Sequence, residues 1–147
     1  MISVQQQDFD VATEYANLIT NNATDGAVVC FTGLVRDFNQ GNMVHGLTLE
    51  HYPGMTEKAL LEIVTEAKSR WPLGKVRVIH RVGDLDLGDQ IVFVGVTSRH
   101  REAAFEANQF IMDFLKNRAP FWKKERTHDG ERWVEAEEKD KKAQARW

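Results

Sequence analysis

The chain has 147 residues, of which 42% are hydrophobic and 28% charged, an ordinary balance for a soluble folded protein able to bury about two-thirds of its unfolded surface. A net charge of −3 argues against a general nucleic-acid binder, which is basic as a whole. No N-terminal segment reads as a signal peptide and no apolar run approaches the ~18 residues needed to span a bilayer, so a reducing cytoplasm is the expected setting.

Asp10 can cap a short helix whose apolar face is Val11, Tyr15 and Leu18. Gly26 then opens a β run from Ala27 to Val35, rich in β-branched and aromatic residues. Cys30, the single cysteine, lies within it and reads as a small buried core residue, with a reactive thiol as the alternative. A lone cysteine also excludes an intramolecular disulfide and a cysteine-built metal site. Asp37 to Asn42 is a turn, and Leu47 to Tyr52 alternates as a strand does. Pro53-Gly54 ends that strand, and a helix follows from about Thr56 to Arg70, with Ala59, Leu60, Ile63, Val64 and Ala67 on its apolar face.

Lys75 to Val82 and Gln90 to Thr97 are two further strands, joined by Gly83 to Asp89, which carries strong turn chemistry. The longest helix runs from about Arg99 to Arg118, burying Ala103, Ala107, Phe110, Ile111, Phe114 and Leu115, and Pro120 ends it. Phe121 to Arg126 and Arg132 to Ala136 flank His128-Asp129-Gly130, a hairpin signal. Glu135 to Lys142 is dense in mixed charge and reads as a solvated helix or tail. No linker or repeat divides the sequence, so one domain over 1–147 is expected, with a charged tail from about 137. Mixed helices and strands with short connections predict an α+β or α/β architecture with some antiparallel pairing.

Three segments could carry chemistry. Five of the eleven residues from Lys116 to Arg126 are basic and one is acidic, in a chain of negative total charge. Lysines crowded by other cations and by aromatic surface can have depressed pKa values, which suits acid/base or nucleophilic work, and a charged lysine holds phosphate. The plainer reading is solvated cations at a helix C-terminus, where the dipole favours them. Ser98-Arg99-His100-Arg101 opens the long helix, where free N–H groups and cationic side chains make an anion site. Cations there oppose the dipole, which asks for a compensating anion. Arg36 ends an apolar strand, where an arginine is commonly just solvated.

His100 and Lys116 are 16 residues apart on one helix, hence about 24 Å at 1.5 Å per residue. Either one end works alone, or two copies pack antiparallel and each site combines residues from both. The second arrangement predicts a homodimer with composite sites. The histidines at 45, 51, 80, 100 and 128 show no metal-ligand spacing, and no metal is expected.

Several strings resemble the molybdopterin synthase large-subunit family: Phe31 to Arg36, Leu47 to Met55, Val78 to Gly83, Gly88-Asp89, Ser98 to Phe105 and Lys116 to Glu125. They run in the family's order from about Gly26 to Ala136, and HYPGM and APFWKKE are long and chemically unusual. The resemblance implies an α/β hammerhead-like domain with an additional antiparallel β subdomain, and a homodimer that binds two small ubiquitin-like sulfur carriers to make a heterotetramer. It implies sulfur transfer from the carrier's C-terminal Gly-Gly thiocarboxylate to cyclic pyranopterin monophosphate, forming the dithiolene of molybdopterin without a bound cofactor. By matched position, Lys116 and Lys123 are the catalytic lysines. Arg36, His100 and Arg101 bind substrate, and Lys124 and Glu125 border the pocket. Two other readings of the residues are a non-catalytic adaptor that docks a ubiquitin-like tail and an RNA- or nucleotide-binding domain that stacks bases on Phe121 and Trp122.

Overall fold

A computed structural model describes residues 1–39, 42–43, 45–127, 130–134 and 138–147. In chain order the elements are β1 (Ile2–Gln5), α1 (Val11–Ile19), β2 (Ala27–Leu34), β3 (Phe38–Asn39), β4 (Asn42–Met43), β5 (Gly46–His51), α2 (Met55–Arg70), β6 (Leu73–Arg81), β7 (Gly83–Asp86), β8 (Gln90–Ser98), α3 (Arg101–Arg118), β9 (Phe121–Thr127), β10 (Gly130–Val134) and α4 (Glu138–Ala145). The α+β expectation holds, with two four-stranded sheets ordered β1-β6-β8-β2 and β10-β9-β5-β7.

Central strand β8 shows why the first sheet is covered on both faces. Val92, Val94 and Val96 point one way, into a core built with Leu60, Ile63 and Val64 of α2 and Phe110, Ile111 and Phe114 of α3. Phe93 points the other way, with Ile79, and meets Leu18 of α1. Gly95 is required on that second face, because a Cβ there would stand 2.5 Å from Leu18 Cδ1. Asn108, buried in the middle of α3, donates to the carbonyls of Val94 (2.9 Å) and Val29 (3.1 Å), fixing the helix across β8 and β2. Since α3 follows β8 directly, it runs back antiparallel to it, and its C-terminal end returns to the Gln90 end of the sheet.

The second sheet is wholly antiparallel, as the resemblance implies, and packs its inner face around Leu47, Leu49, Val82 and Leu85. Strands β1 and β7, like the short β3–β4 pair, are absent from the sequence expectations. β1 pairs in parallel with β6, a partner more than 70 residues away, and four residues carry too short a pattern to announce it. β7 falls in what reads as a turn. Yet Leu85 is fully buried and Gly83–Asp86 pairs with β5, leaving the turn to Leu87, Gly88 and Asp89. In α1 the Asp10 cap is present, its Oδ1 accepting from Ala12 N at 2.9 Å, but Tyr15 is exposed and Leu18 alone is buried. The predicted turn at 37–42 overlaps the short β3–β4 pair, which extends to Met43, and its Gln40 and Gly41 lie outside the described residues. The β9–β10 hairpin forms with Thr127 opposite Gly130, while His128 and Asp129 lie outside the described residues, as does Ala136 of the predicted second strand.

The core reading of Cys30 is overturned. Strand β2 is the edge of its sheet, and Cys30 is exposed there. Partial desolvation pushes its thiol above the ordinary value, the opposite of an activated nucleophile.

The C-terminal segment is docked rather than merely solvated. Asp113 of α3 accepts from Trp147 Nε1 (2.6 Å) and pairs with Arg146 (3.1 Å), and the Trp147 ring meets Trp71 and Phe110 edge-on. Asn117 Nδ2 donates to the Asp140 carbonyl, securing α4 along α3. Asp113→Ala leaves the half-buried Trp147 N–H without its acceptor, a loss of about 1 kcal/mol. Amide exchange measured by mass spectrometry is expected to accelerate about tenfold or more across Glu138–Ala145 while β8 keeps its protection. Unchanged exchange in α4 would show that Asp113 does not hold it.

Candidate active site

Three stretches distant in sequence meet where α3 ends. Pro120 stops the helix and the chain turns into β9, which pairs with β5 so that Phe121 faces His51 and Lys123 faces Leu49. Thr56, fully buried at the start of α2, locks this corner: its hydroxyl donates to the Pro120 carbonyl (2.9 Å) and accepts from Tyr52 N (3.0 Å). Pro53-Gly54 makes that geometry possible. Gly54 has φ +85°, a left-handed conformation that side chains resist, and its N–H donates to Glu57 Oε1 (3.1 Å) to start α2.

Beside this corner is a cavity of about 190 Å³, lined by Leu49, His80, Ile91, Val92, Met112, Leu115, Lys116, Ala119, Phe121, Lys123, Val134 and Asp140. Lys116 and Lys123, seven residues apart across the proline break, therefore share one chamber. Its wall is mostly apolar, a surrounding in which charges and dipoles interact more strongly than in water.

His80 is the site residue that residue-by-residue reading passes over. It lies in β6 within Val78-Ile79-His80, 7% exposed, with its ring stacked on Phe121 at a centroid distance of 4.0 Å. Nδ1 is 2.9 Å from the Arg81 carbonyl; a carbonyl only accepts, so Nδ1 carries the proton and Nε2 the lone pair. Burial pushes the imidazole down to about 4; the Arg81 hydrogen bond opposes that shift, and the charges of Lys116 and His51 add to it. The available signal was a histidine directly after the apolar pair Val78-Ile79.

The remaining predicted residues are placed elsewhere. Lys124 projects from the opposite face of β9 to Lys123, 4.8 Å from the Trp133 ring centroid and 3.5 Å from Glu131. Glu125 shares the Lys123 face but is 2% exposed and bonded to Arg132 at 3.2 Å; neither it nor Lys124 lines the cavity. Arg36 is exposed just beyond β2. Val35 N donates to the Asp89 carbonyl (2.9 Å), which places Arg36 at the Gln90 end of the sheet, the cavity's own end. His100 and Arg101 are exposed at the other end of α3, beside Gly26, whose N–H donates to the Arg99 carbonyl. One chain thus brings Lys116 and Lys123 together, with Arg36 at the same end of the sheet, and holds His100 and Arg101 apart from them.

Residues 4–118 match the family model described as MoaE protein. The chain is 64% identical over 146 residues to the molybdopterin synthase catalytic subunit of Escherichia coli (strain K12), covering 99% of this chain and 97% of that one. Among solved structures, it resembles the molybdopterin biosynthesis MoaE protein from Burkholderia ambifaria MC40-6, with 52% identity and a TM-score of 0.85 over 100% of this chain and 97% of that one. It also resembles molybdopterin synthase from Staphylococcus aureus, with 34% identity and a TM-score of 0.83 over 90% of this chain and 95% of that one.

The buried histidine has a stability consequence. Its pKa is lower folded than unfolded, so between about 4 and 6.5 the unfolded chain binds the extra proton, and stability falls as the pH drops through that window. From pH 7.5 to 5 the loss owed to His80 is about 2 kcal/mol. Urea unfolding at the two pH values should show this difference in the wild type and a flatter dependence in His80→Gln. Equal slopes would mean that His80 is not held neutral.

Proposed function

The chain belongs to the MoaE family, and from that premise we propose that it is the catalytic subunit of a molybdopterin synthase. It moves sulfur from the C-terminal thiocarboxylate of a small ubiquitin-like carrier to cyclic pyranopterin monophosphate, giving the dithiolene of molybdopterin. The observation that carries this reading is the shared cavity of Lys116 and Lys123 at the meeting point of the HYPGM, VIHRVG and APFWKKE segments. An ammonium in an apolar chamber attracts and orients an anionic thiocarboxylate, and stabilises the negative charge that a carbonyl-derived oxygen gains during transfer. Lys116 takes the acid/base role and Lys123 the electrostatic one. Arg36, His100 and Arg101 hold the pterin and its phosphate, while Lys124 and Glu125, which do not line the cavity, take no direct part.

The spacing along α3 favours a homodimer as the working unit. The outer edge of β2 has no strand partner among the described residues, and Phe31, Leu34 and Phe105 are exposed beside it. His100 lies at the Ala27 end of β2 and Arg36 at its Leu34 end. Two copies joined antiparallel along these edges bring the partner's His100 and Arg101 to the end that already holds Arg36, Lys116 and Lys123. With one carrier at each site the assembly is a heterotetramer. Among the described residues no helix is long and apolar enough to cross a membrane, which agrees with a sulfurtransferase working in the cytoplasm.

Reconstitution with a thiocarboxylated carrier and cyclic pyranopterin monophosphate, assayed for dithiolene product, tests the reading. Lys116→Ala should lower turnover by about 10²- to 10⁴-fold, the range of a lost acid/base group, with carrier affinity nearly unchanged. Wild-type turnover in that variant would remove Lys116 from the chemistry. A wild-type dimer that makes no product would refute the function.

A further inference from the structure

The His80 imidazole is a buried polar group that the proposed transfer leaves unused. Its ring cannot turn freely, being stacked on Phe121 and tied through Nδ1 to the Arg81 carbonyl. Nε2 is therefore a fixed acceptor, and it makes no hydrogen bond among the described residues. His80 lines the cavity, and an acceptor on a cavity wall is open to a donor within that cavity. Among the described side chains lining it, only Lys116 and Lys123 carry N–H donors, since Asp140 offers a carboxylate and the rest are apolar. Of the two lysines, Lys116 is the one whose charge bears on His80.

We propose that His80 is a positioning residue for Lys116, its Nε2 accepting a hydrogen bond from the lysine Nζ and holding that group inside the cavity. This rests on the reading that Lys116 acts in sulfur transfer. Lys116 is an exposed, flexible side chain at the end of a helix, and without a fixed acceptor its amine spends its time in solvent. The charged groups around the imidazole favour its acceptor role. Lys116 from α3 and His51 from β5 oppose its protonation, Lys123 from β9 adds a second cation to the chamber, and Asp140 from α4 supplies the one carboxylate on the lining. The ring thus stays neutral across the neutral range and keeps its lone pair for the lysine.

His80→Phe keeps the stack on Phe121 and deletes the acceptor; His80→Gln keeps an acceptor of similar reach. In the reconstituted dimer with thiocarboxylated carrier, kcat of His80→Phe should fall about tenfold, the effect of one hydrogen bond to a charged group. KM for the carrier should stay within about twofold, since the change leaves the docking surface alone. The alkaline limb of the kcat profile should move, and His80→Gln should recover most of the rate. A second readout does not depend on how well the phenylalanine variant folds. The ¹⁵N resonance of His80 Nε2 should shift toward that of a free neutral acceptor in Lys116→Met. Wild-type kcat and pH profile in His80→Phe, or an unmoved Nε2 resonance in Lys116→Met, would overturn the pairing. Full activity in Lys116→Ala would instead remove Lys116 from the chemistry, and a wild-type dimer that makes no product would refute the sulfur-transfer reading, so these failures are separable from that of the pairing.

Discussion

The arrangement depends on one corner, where the buried Thr56 hydroxyl bridges Tyr52 N and the Pro120 carbonyl. Proline alone would end α3 without saying where the chain goes next. The threonine supplies the direction, clamping the strand-to-helix turn of one segment to the helix-to-strand turn of another. From it follow the antiparallel register of β9 on β5, the placement of Phe121 against His80, and the return of Lys123 to the chamber that Lys116 already faces. Two lysines seven residues apart on a continuous helix would lie about 10 Å apart along its axis. Across a clamped reversal they face the same small volume.

The second constraint is the stiffness of α3. A helix of 18 residues, buried along one face and pinned at mid-length by Asn108 to two strands, behaves as a rod with a polar group at each end. Its ends are held apart by the same packing that stabilises the core. Cations at its first turn work against the helix dipole, whereas Lys116 and Arg118 in its last turn work with it. This asymmetry is the physical reason to seek an anion, or a second protein surface, at the His100 end. The unpaired edge of β2 beside that rod gives the direction from which a second copy would come.

Periodicity and punctuation made most of the architecture legible. The run from Gln90 to Thr97 announced β8, Asp10 announced α1, and Pro120 announced the end of α3, because in each case the signal and its cause are local. Strands β1 and β7 were not legible for the opposite reason. Ile2–Gln5 is held by a parallel partner far along the chain, and Gly83–Asp86 is made of turn-forming residues that become a strand only because Leu85 fills the second core. Cys30 misled for a related reason, since an apolar run reads as buried whether its strand is central or at the edge. At the site, the charge anomaly around Lys116–Arg126 pointed to the corner where the cavity lies. It could not separate Lys123, which faces the cavity, from Lys124, whose side chain pairs with Trp133 and Glu131 on the other face. That distinction is one of strand parity, fixed only once β9 has a register.

His80 shows what charge counting misses. A cavity that is to receive anions needs cations, but cations alone repel one another and are drawn outward by water. An apolar wall strengthens their attraction for a ligand and equally raises the cost of desolvating them. A neutral acceptor within the wall resolves the conflict, because it can hold an ammonium inward without cancelling its charge as a carboxylate would. Imidazole is suited to this when burial and nearby positive charge keep it unprotonated, and burial within β6 and the charges of Lys116 and His51 supply both conditions. Asp140 sits on the same lining, brought there by a helix tethered through Asp113 and Trp147. The lining therefore carries two acceptors of different kind, one neutral and fixed in a central sheet, the other a carboxylate carried on the C-terminal helix.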